Sequence, residues 1–432
     1  MKLDLSAKIG RRTFLCAGGA CSGAVWAWPR VALAQGFSNR WPHVDALARG
    51  LVARRQVANV VALLGYGQAP VDVIAYGHDG FIDDRRSDPD SLYRIYSMTK
   101  PITGMAALLL ADRGLLALDQ PIADFLPAFA NMQVQKQHDG PISSDNLEPA
   151  IRAITVRHLL THTSGLGDGV VQTGPIAQAY RDAGVIPGAV SRLEIPGLVR
   201  SAPAPSLAAF ADRLAALPLL WQPGTRWCYS VGIDLLGRII ELASGQTLDI
   251  FLHDTIIGPC GMDSSGFQVP QAHIGRLTTN YLGLMGTMLP IDLPQNSVFL
   301  DPPPFPAGGA GLVSSPRDYD RFLRMLAGNG MIDRVRVLPE SVVRLGTSDL
   351  FPGTLSADDP YARHFGFGAG GRVGKGAHSG TFGWFGIAGT CGLVDMRSGL
   401  RHSLFTQYMP ADIYPVQTEF PAAVLQDRAS HR

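Results

Sequence analysis

Residues 94–104 read RIYSMTKPITG and put Lys100 three positions after Ser97, in a chain whose only other lysines are Lys2, Lys8, Lys136 and Lys375. Serine is a poor nucleophile at neutral pH and needs a base within hydrogen-bond reach. Positions i and i+3 of a helix are neighbours, so a helix through this stretch brings the amine to the hydroxyl. A lysine desolvated among apolar neighbours can release its proton near neutral pH and act as that base. At a helix N-terminus, free N–H groups and partial positive charge also favour an anionic tetrahedral intermediate. The chemistry indicated is acyl transfer through a serine. Because S-x-x-K recurs by chance, its surroundings must decide.

The positioning elements are legible around it. PITGMAALLLADRG, from Pro101 to Gly114, carries apolar residues at helical spacing with proline in its first turn, which puts Ser97 at or just before a helix start. From Val57, VANVVALLGYGQAPVDVIAYG alternates around a Gly/Pro break and reads as an antiparallel hairpin. Between about 130 and 330 the pattern is helices joined by Pro/Gly-rich loops: TVRHLLTH (155–162), GIDLLGRIIELASG (232–245), and SPRDYDRFLRMLAGNG with Ser315 as cap. After about 365 strands return in FGFGAGGRVG, GWFGIAGTCGLVD and LRHSLFTQYM. An α+β fold follows, with a central antiparallel sheet built from both chain ends (about 38–98 and 335–432) and a mostly helical part between (about 99–334).

The N-terminus reads as a leader. RRTFL at 11–15, a Gly/Ala-rich apolar run and Ala32-Leu33-Ala34 before Gln35 form a twin-arginine-type signal, residues 1–34, with an ordinary Sec signal as the alternative. Either predicts export, with the periplasm as destination. The run is too short and glycine-rich for a stable membrane span, and neither Cys16 nor Cys21 has a lipid-attachment context. Without residues 1–34 the chain holds 32 basic and 35 acidic residues. With no basic block, nucleic acid is not an expected partner, and a small molecule is. Cys228, Cys260 and Cys391 permit at most one disulfide, so buried free thiols are expected.

LYRIYSMTKPITGMAALLLADRGLLALDQPIADFLP, ITVRHLLTHTSGL, WQPGTRWCYSVGIDLLGRIIELASGQ and GGAGLVSSPRDYDRFLRML follow one another in an order that resembles the class C β-lactamase-like serine hydrolases, and among them the family VIII carboxylesterases. The resemblance spans roughly residues 40–410. It implies a β-lactamase/penicillin-binding-protein-like fold, no cofactor, Ser97 as nucleophile, Lys100 as its partner, and Tyr229 as proton shuttle. A phenol beside an ammonium is favoured as its anion, which suits that role.

This chain departs from the lactamase pattern twice. Val231 stands where the lactamases carry the Asn of Tyr-x-Asn, removing an amide that could bind an acylamino side chain. There is also no Lys-[Ser/Thr]-Gly triplet. Of two substitutes, His378-Ser379-Gly380 and Trp384-Phe385-Gly386, the second resembles the esterase form Trp-x-Gly followed by Gly-Thr. Its tryptophan offers an apolar wall and one N–H but no charge, which suits an uncharged ester. On that alignment the backbone N–H of Ile387 joins that of Ser97 in an oxyanion hole.

His158 and His162 are four apart on a helix, but no glutamate or third ligand accompanies them, so no metal site is expected. No G-x-S-x-G elbow occurs. The segment from Asp168 to Leu220 is expected to form part of the pocket rim. The expected function is hydrolysis of small uncharged carboxylic esters through an acyl-enzyme on Ser97. Rivals are a β-lactamase or D-alanyl-D-alanine carboxypeptidase-like amide hydrolase, with Arg372 or Arg401 binding the substrate carboxylate, acyl transfer to another alcohol, and a non-catalytic binding module on the same fold.

Overall fold

The computed structural model describes residues 40–430 apart from 187, 189, 194–201 and 285, all within one compact unit, Phe37–Arg432. The leader expected at residues 1–34 lies outside the described residues. After helix α1 (Pro42–Ala53) come β1 (Asn59–Tyr66) and β2 (Asp72–Gly77), the hairpin read from the sequence. The far end of the chain supplies β3 (Phe365–Phe367), β4 (Arg372–Gly374), β5 (Thr381–Gly386), β6 (Thr390–Asp395) and β7 (Leu400–Phe405). All seven form one antiparallel sheet in the order β3-β4-β5-β6-β7-β1-β2, and β1 joins the two ends through pairs such as Val61 with Phe405.

β1 is buried on both faces, and its period-2 alternation divides the core. Val60, Ala62 and Leu64 pack with Leu393, Leu404 and Cys391 against α1 and the last helix, α8 (Val416–Ser430). Val61 and Leu63 face the other way, with Val394, Phe405 and Phe382, toward α2 (Thr99–Asp112) and α7 (Pro316–Ala327). Ser315 caps α7 as expected, its hydroxyl accepting the Asp318 N–H at 3.1 Å. The inserted region includes α3 (Val156–Leu160), α4 (Leu207–Ala215), α5 (Gly232–Ser244) and α6 (Leu248–Leu252). α3 is shorter than its sequence pattern because His162 adopts φ 55°, a left-handed conformation that no helix continues through.

The insert is not wholly helical. Asn280–Leu284 and Thr287–Asp292 pair as antiparallel strands, joined by a parallel pairing to Tyr408–Met409. This stretch, NYLGLMGTMLPID, shows no clean alternation, so its strand character was hidden. No helix among the described residues is long and apolar enough to cross a membrane.

Candidate active site

Ser97 sits in a single 3-10 turn, Tyr96–Met98, that runs directly into α2. Tyr96 has φ 42°, a costly conformation for a bulky residue, and it persists because its surroundings fix it. Thr99 Oγ1 donates to the Tyr96 carbonyl at 2.6 Å and accepts from Leu312 N at 3.2 Å, while Tyr319 Oη donates to the Met98 carbonyl at 3.1 Å. The serine is therefore carried on a turn locked from both sides.

One helical turn on, Lys100 Nζ donates to Ser97 Oγ at 3.2 Å and to the Gly309 carbonyl at 2.7 Å. Tyr229, three residues before α5, brings its hydroxyl to 2.6 Å from Ser97 Oγ. Its ring lies 4.7 Å from Lys100 Nζ, a cation–π contact, and stacks on Trp384 with centroids 6.2 Å apart and planes 13° off parallel. Ser97, Lys100 and Tyr229 thus share one hydrogen-bonded cluster although Tyr229 lies 132 residues from the serine.

β5 borders this cluster. A Cβ on Gly386 would lie 2.5 Å from the Ile95 carbonyl oxygen, so the strand passes backbone to backbone beside the turn carrying Ser97, an approach only glycine permits. Ile387 follows at once, its side chain packed with the cluster that holds Tyr96. Strand alternation separates the two aromatic neighbours. Trp384 faces Tyr229 and Phe367, whereas Phe385 turns to the opposite face, under the Arg372 guanidinium at 4.6 Å and among the α1/α8 core. Trp384 and Gly386 stand at the cluster; the Phe385 side chain does not. His378-Ser379-Gly380 precedes the opposite end of β5, with Ser379 Oγ accepting from Arg397.

Neither arginine weighed as a carboxylate partner is placed for it. Arg401 is fully buried, paired with Asp320 at 2.9 Å and donating to the carbonyls of Gly67 and Ala69. Arg372 pairs in register with Gly383, on the Phe385 face, and is held between the rings of Phe365 and Phe385. Both were absorbed by packing that the sequence does not display.

The two histidines have separate partners. His158 Nδ1 accepts the Thr155 N–H at 3.2 Å while Thr155 Oγ1 accepts the His158 N–H, a reciprocal helix cap. His162 Nδ1 accepts the Ser230 N–H at 3.2 Å, which assigns the ring proton to Nε2, a buried atom with no hydrogen-bond partner; its ring lies 4.8 Å from that of Tyr229. Burial pushes the His158 imidazole down to about 4 and that of His162 well below its ordinary value, with Lys100 adding to the second effect. Among the described residues no three His, Cys, Asp or Glu side chains group to hold a metal. Val231 is buried at the start of α5, its N–H bonded to the Gly167 carbonyl. The segment from Asp168 to Leu220 contains the helices Gly174–Asp182 and Leu207–Ala215, and Gln172 from it donates to the Tyr229 carbonyl at 3.4 Å. Cys228, Cys260 and Cys391 are free thiols.

Sequence reasoning missed the Gly309 carbonyl that anchors Lys100. A backbone acceptor has no residue type to read, and its only trace is the glycine run in GGAGL.

A helix-flanked antiparallel sheet with a Ser-x-x-Lys turn beside one of its inner strands is the architecture of the β-lactamase family, and the chain belongs to that family, whose model, described as Beta-lactamase, matches residues 44–420. Protein Rv1367c of Mycobacterium tuberculosis (strain ATCC 25618 / H37Rv) is 37% identical over 74% of this chain and 78% of its own length. Esterase EstB of Burkholderia gladioli is 30% identical over 84% of this chain and 89% of its own. The solved structure of "EstCE1, a hydrolase with promiscuous acyltransferase activity" covers 90% of this chain and 98% of its own, with a TM-score of 0.70 at 22% identity, which shows a shared fold.

Proposed function

We propose that Ser97 is the nucleophile with which this serine hydrolase of the β-lactamase fold cleaves carboxylic esters of small, uncharged substrates. The observation that carries the reading is the hydrogen-bonded trio of Ser97, Tyr229 and Lys100 beside the uncharged wall of Trp384. The similarity to Esterase EstB supports an ester as the substrate. In acylation Tyr229, acting as its phenolate, takes the proton of Ser97 Oγ on Oη while Oγ bonds to the ester carbonyl carbon. The oxyanion is met by the backbone N–H groups of Ser97 and Ile387. Collapse breaks the carbon–oxygen bond to the alcohol, which takes the proton back from Tyr229. Water then repeats the sequence in reverse, yielding the acid and free Ser97. Lys100 stabilises the negative charge while it rests on Oη and as it passes to Oγ.

Residues 1–34 supply the second part of the reading, an exported protein acting in the periplasm, supported by the twin-arginine pattern alone. The function is tested with the purified protein on p-nitrophenyl butyrate, beside Ser97→Ala and a chromogenic cephalosporin. Turnover of the ester that Ser97→Ala abolishes, with the cephalosporin far slower, is expected. An inert parent, a fully active Ser97→Ala, or a cephalosporin rate rivalling the ester refutes the assignment.

A further inference from the structure

α5 carries a buried carboxylate that the mechanism above does not use. Asp234, 2% exposed, accepts the Gly309 N–H on Oδ1 at 2.8 Å. The carbonyl of the same glycine accepts Lys100 Nζ at 2.7 Å. The residue cannot be other than glycine without disturbing this link, since a Cβ at 309 would lie 2.4 Å from Asp234 Oδ2. Lys100 is itself 3% exposed, so carboxylate and amine interact with little screening by water. A buried carboxylate is costly unless its charge is compensated, and here the compensation comes from the group that contacts the nucleophile.

Resting on the ester-hydrolase reading, we propose that Asp234 is a positioning residue. It fixes Gly309 and faces Lys100 across it, keeping Nζ a charged donor to Ser97 Oγ so that Tyr229, not Lys100, receives the serine proton. The donor already spends one N–H on Gly309 and another on Ser97. A charged ammonium has donors and no lone pair to offer the serine, which leaves Tyr229 Oη, 2.6 Å from Ser97 Oγ, as the acceptor.

The charged groups facing Asp234 are Lys100 from α2 and Asp168 from the loop after α3. The ionisable groups of α4 and α6, which also pack near α5, are Asp212, Arg213 and Asp249, all turned to solvent, and His158 of α3 lies against Gly224. Burial pushes the Asp234 carboxyl up to about 6, opposed first by Lys100 and then by the Gly309 N–H. The carboxylate is therefore charged above about pH 6 and loses that charge as the pH falls through it.

The test compares the full chain with Asp234→Asn, which keeps an oxygen for the Gly309 N–H but cannot ionise. Hydrolysis of p-nitrophenyl butyrate is followed from pH 5 to 9, with rates counted per serine labelled by a fluorophosphonate so that misfolded molecules do not contribute. The expected result is a kcat about tenfold lower at pH 8, the magnitude of one lost charge–charge contact, with KM within about threefold and the inflection near pH 6 gone. Gly309→Ala, which forces carboxylate and peptide apart, should lower kcat similarly, and it decides the matter should Asp234→Asn fail to fold. An Asn variant with the parent's kcat and pH profile, or a Gly309→Ala variant with the parent's kcat, overturns the inference alone. A parent that does not turn over refutes the ester-hydrolase reading and the inference with it.

Discussion

Replacing Tyr229 by phenylalanine removes one oxygen, the atom 2.6 Å from Ser97 Oγ, and leaves the rest of the residue in place. The ring keeps its stack on Trp384, its 4.8 Å contact with His162 and the Lys100 ammonium 4.7 Å away. Folding therefore loses about one side-chain hydrogen bond, worth about 1 kcal/mol, and Tm should move by no more than a few degrees. Turnover should suffer far more. A positioned general base contributes about 10²–10⁴ in rate, and Lys100 is poorly placed to replace it because Nζ donates to both Ser97 and Gly309. We expect kcat to fall about 10³-fold, equivalent to about 4 kcal/mol of barrier. The assay is kcat for p-nitrophenyl butyrate, with single-turnover acylation measured alongside, since the same hydroxyl serves both half-reactions. A variant retaining more than about a tenth of the parent's kcat, while Ser97→Ala is inert, would refute Tyr229 as the base and return that role to Lys100.

Arg401→Met strands Asp320 in the core without its partner and should lower stability by about 3–5 kcal/mol, read as a fall in Tm or denaturation midpoint, with kcat per folded molecule unchanged. Trp384→Ala should lower kcat/KM for p-nitrophenyl butyrate about tenfold with little loss of Tm, whereas Phe385→Ala should lower Tm and leave kcat/KM within about threefold; the reverse pattern would mean the strand faces are misassigned. His402 is buried beside Phe420, and burial pushes its imidazole down to about 4. The unfolded chain takes up that proton first, so His402 withdraws stability progressively as the pH falls from about 6.5 to about 4, at about 1.4 kcal/mol per pH unit. His402→Leu should accordingly gain Tm on the parent across that window, and a constant difference between pH 7 and 4.5 would contradict the reasoning.

What was legible in the sequence was local. The hairpin from Val57 and the i,i+3 pairing of Ser97 with Lys100 need only a few residues of backbone geometry, and both are present at the expected positions. The union of the chain ends in one sheet followed from strand-like segments at both ends with helical ones between. Tyr229 was found only through a pattern of several segments in order, because no periodicity links residues 132 apart. Three features had no sequence signal of their own. The Lys100 anchor is a backbone carbonyl, the face taken by Phe385 depends on the register of β5, and the burial of Arg401 depends on where Asp320 of α7 comes to rest.

The scarcity of lysine takes on meaning at this point. The site needs a buried ammonium that reaches a serine one helical turn away, a carbonyl 209 residues on, and the face of a tyrosine ring at once. A compact, freely rotating ammonium satisfies all three from one position, whereas the wider planar guanidinium of arginine directs its donors in a fixed fork. Elsewhere the chain meets most of its need for cations with arginine, including the buried pairs Arg94–Asp292 and Arg401–Asp320, where a planar donor with several N–H groups is the better fit. At Lys100 a point charge serves three acceptors, and the missing cation on β5 belongs to the same economy of charge. With Trp384 in place of a lysine there, Lys100 has no like charge across the cleft to oppose it, and no ammonium on β5 waits for an anionic substrate. Both facts favour a neutral ester over a carboxylate-bearing peptide or lactam.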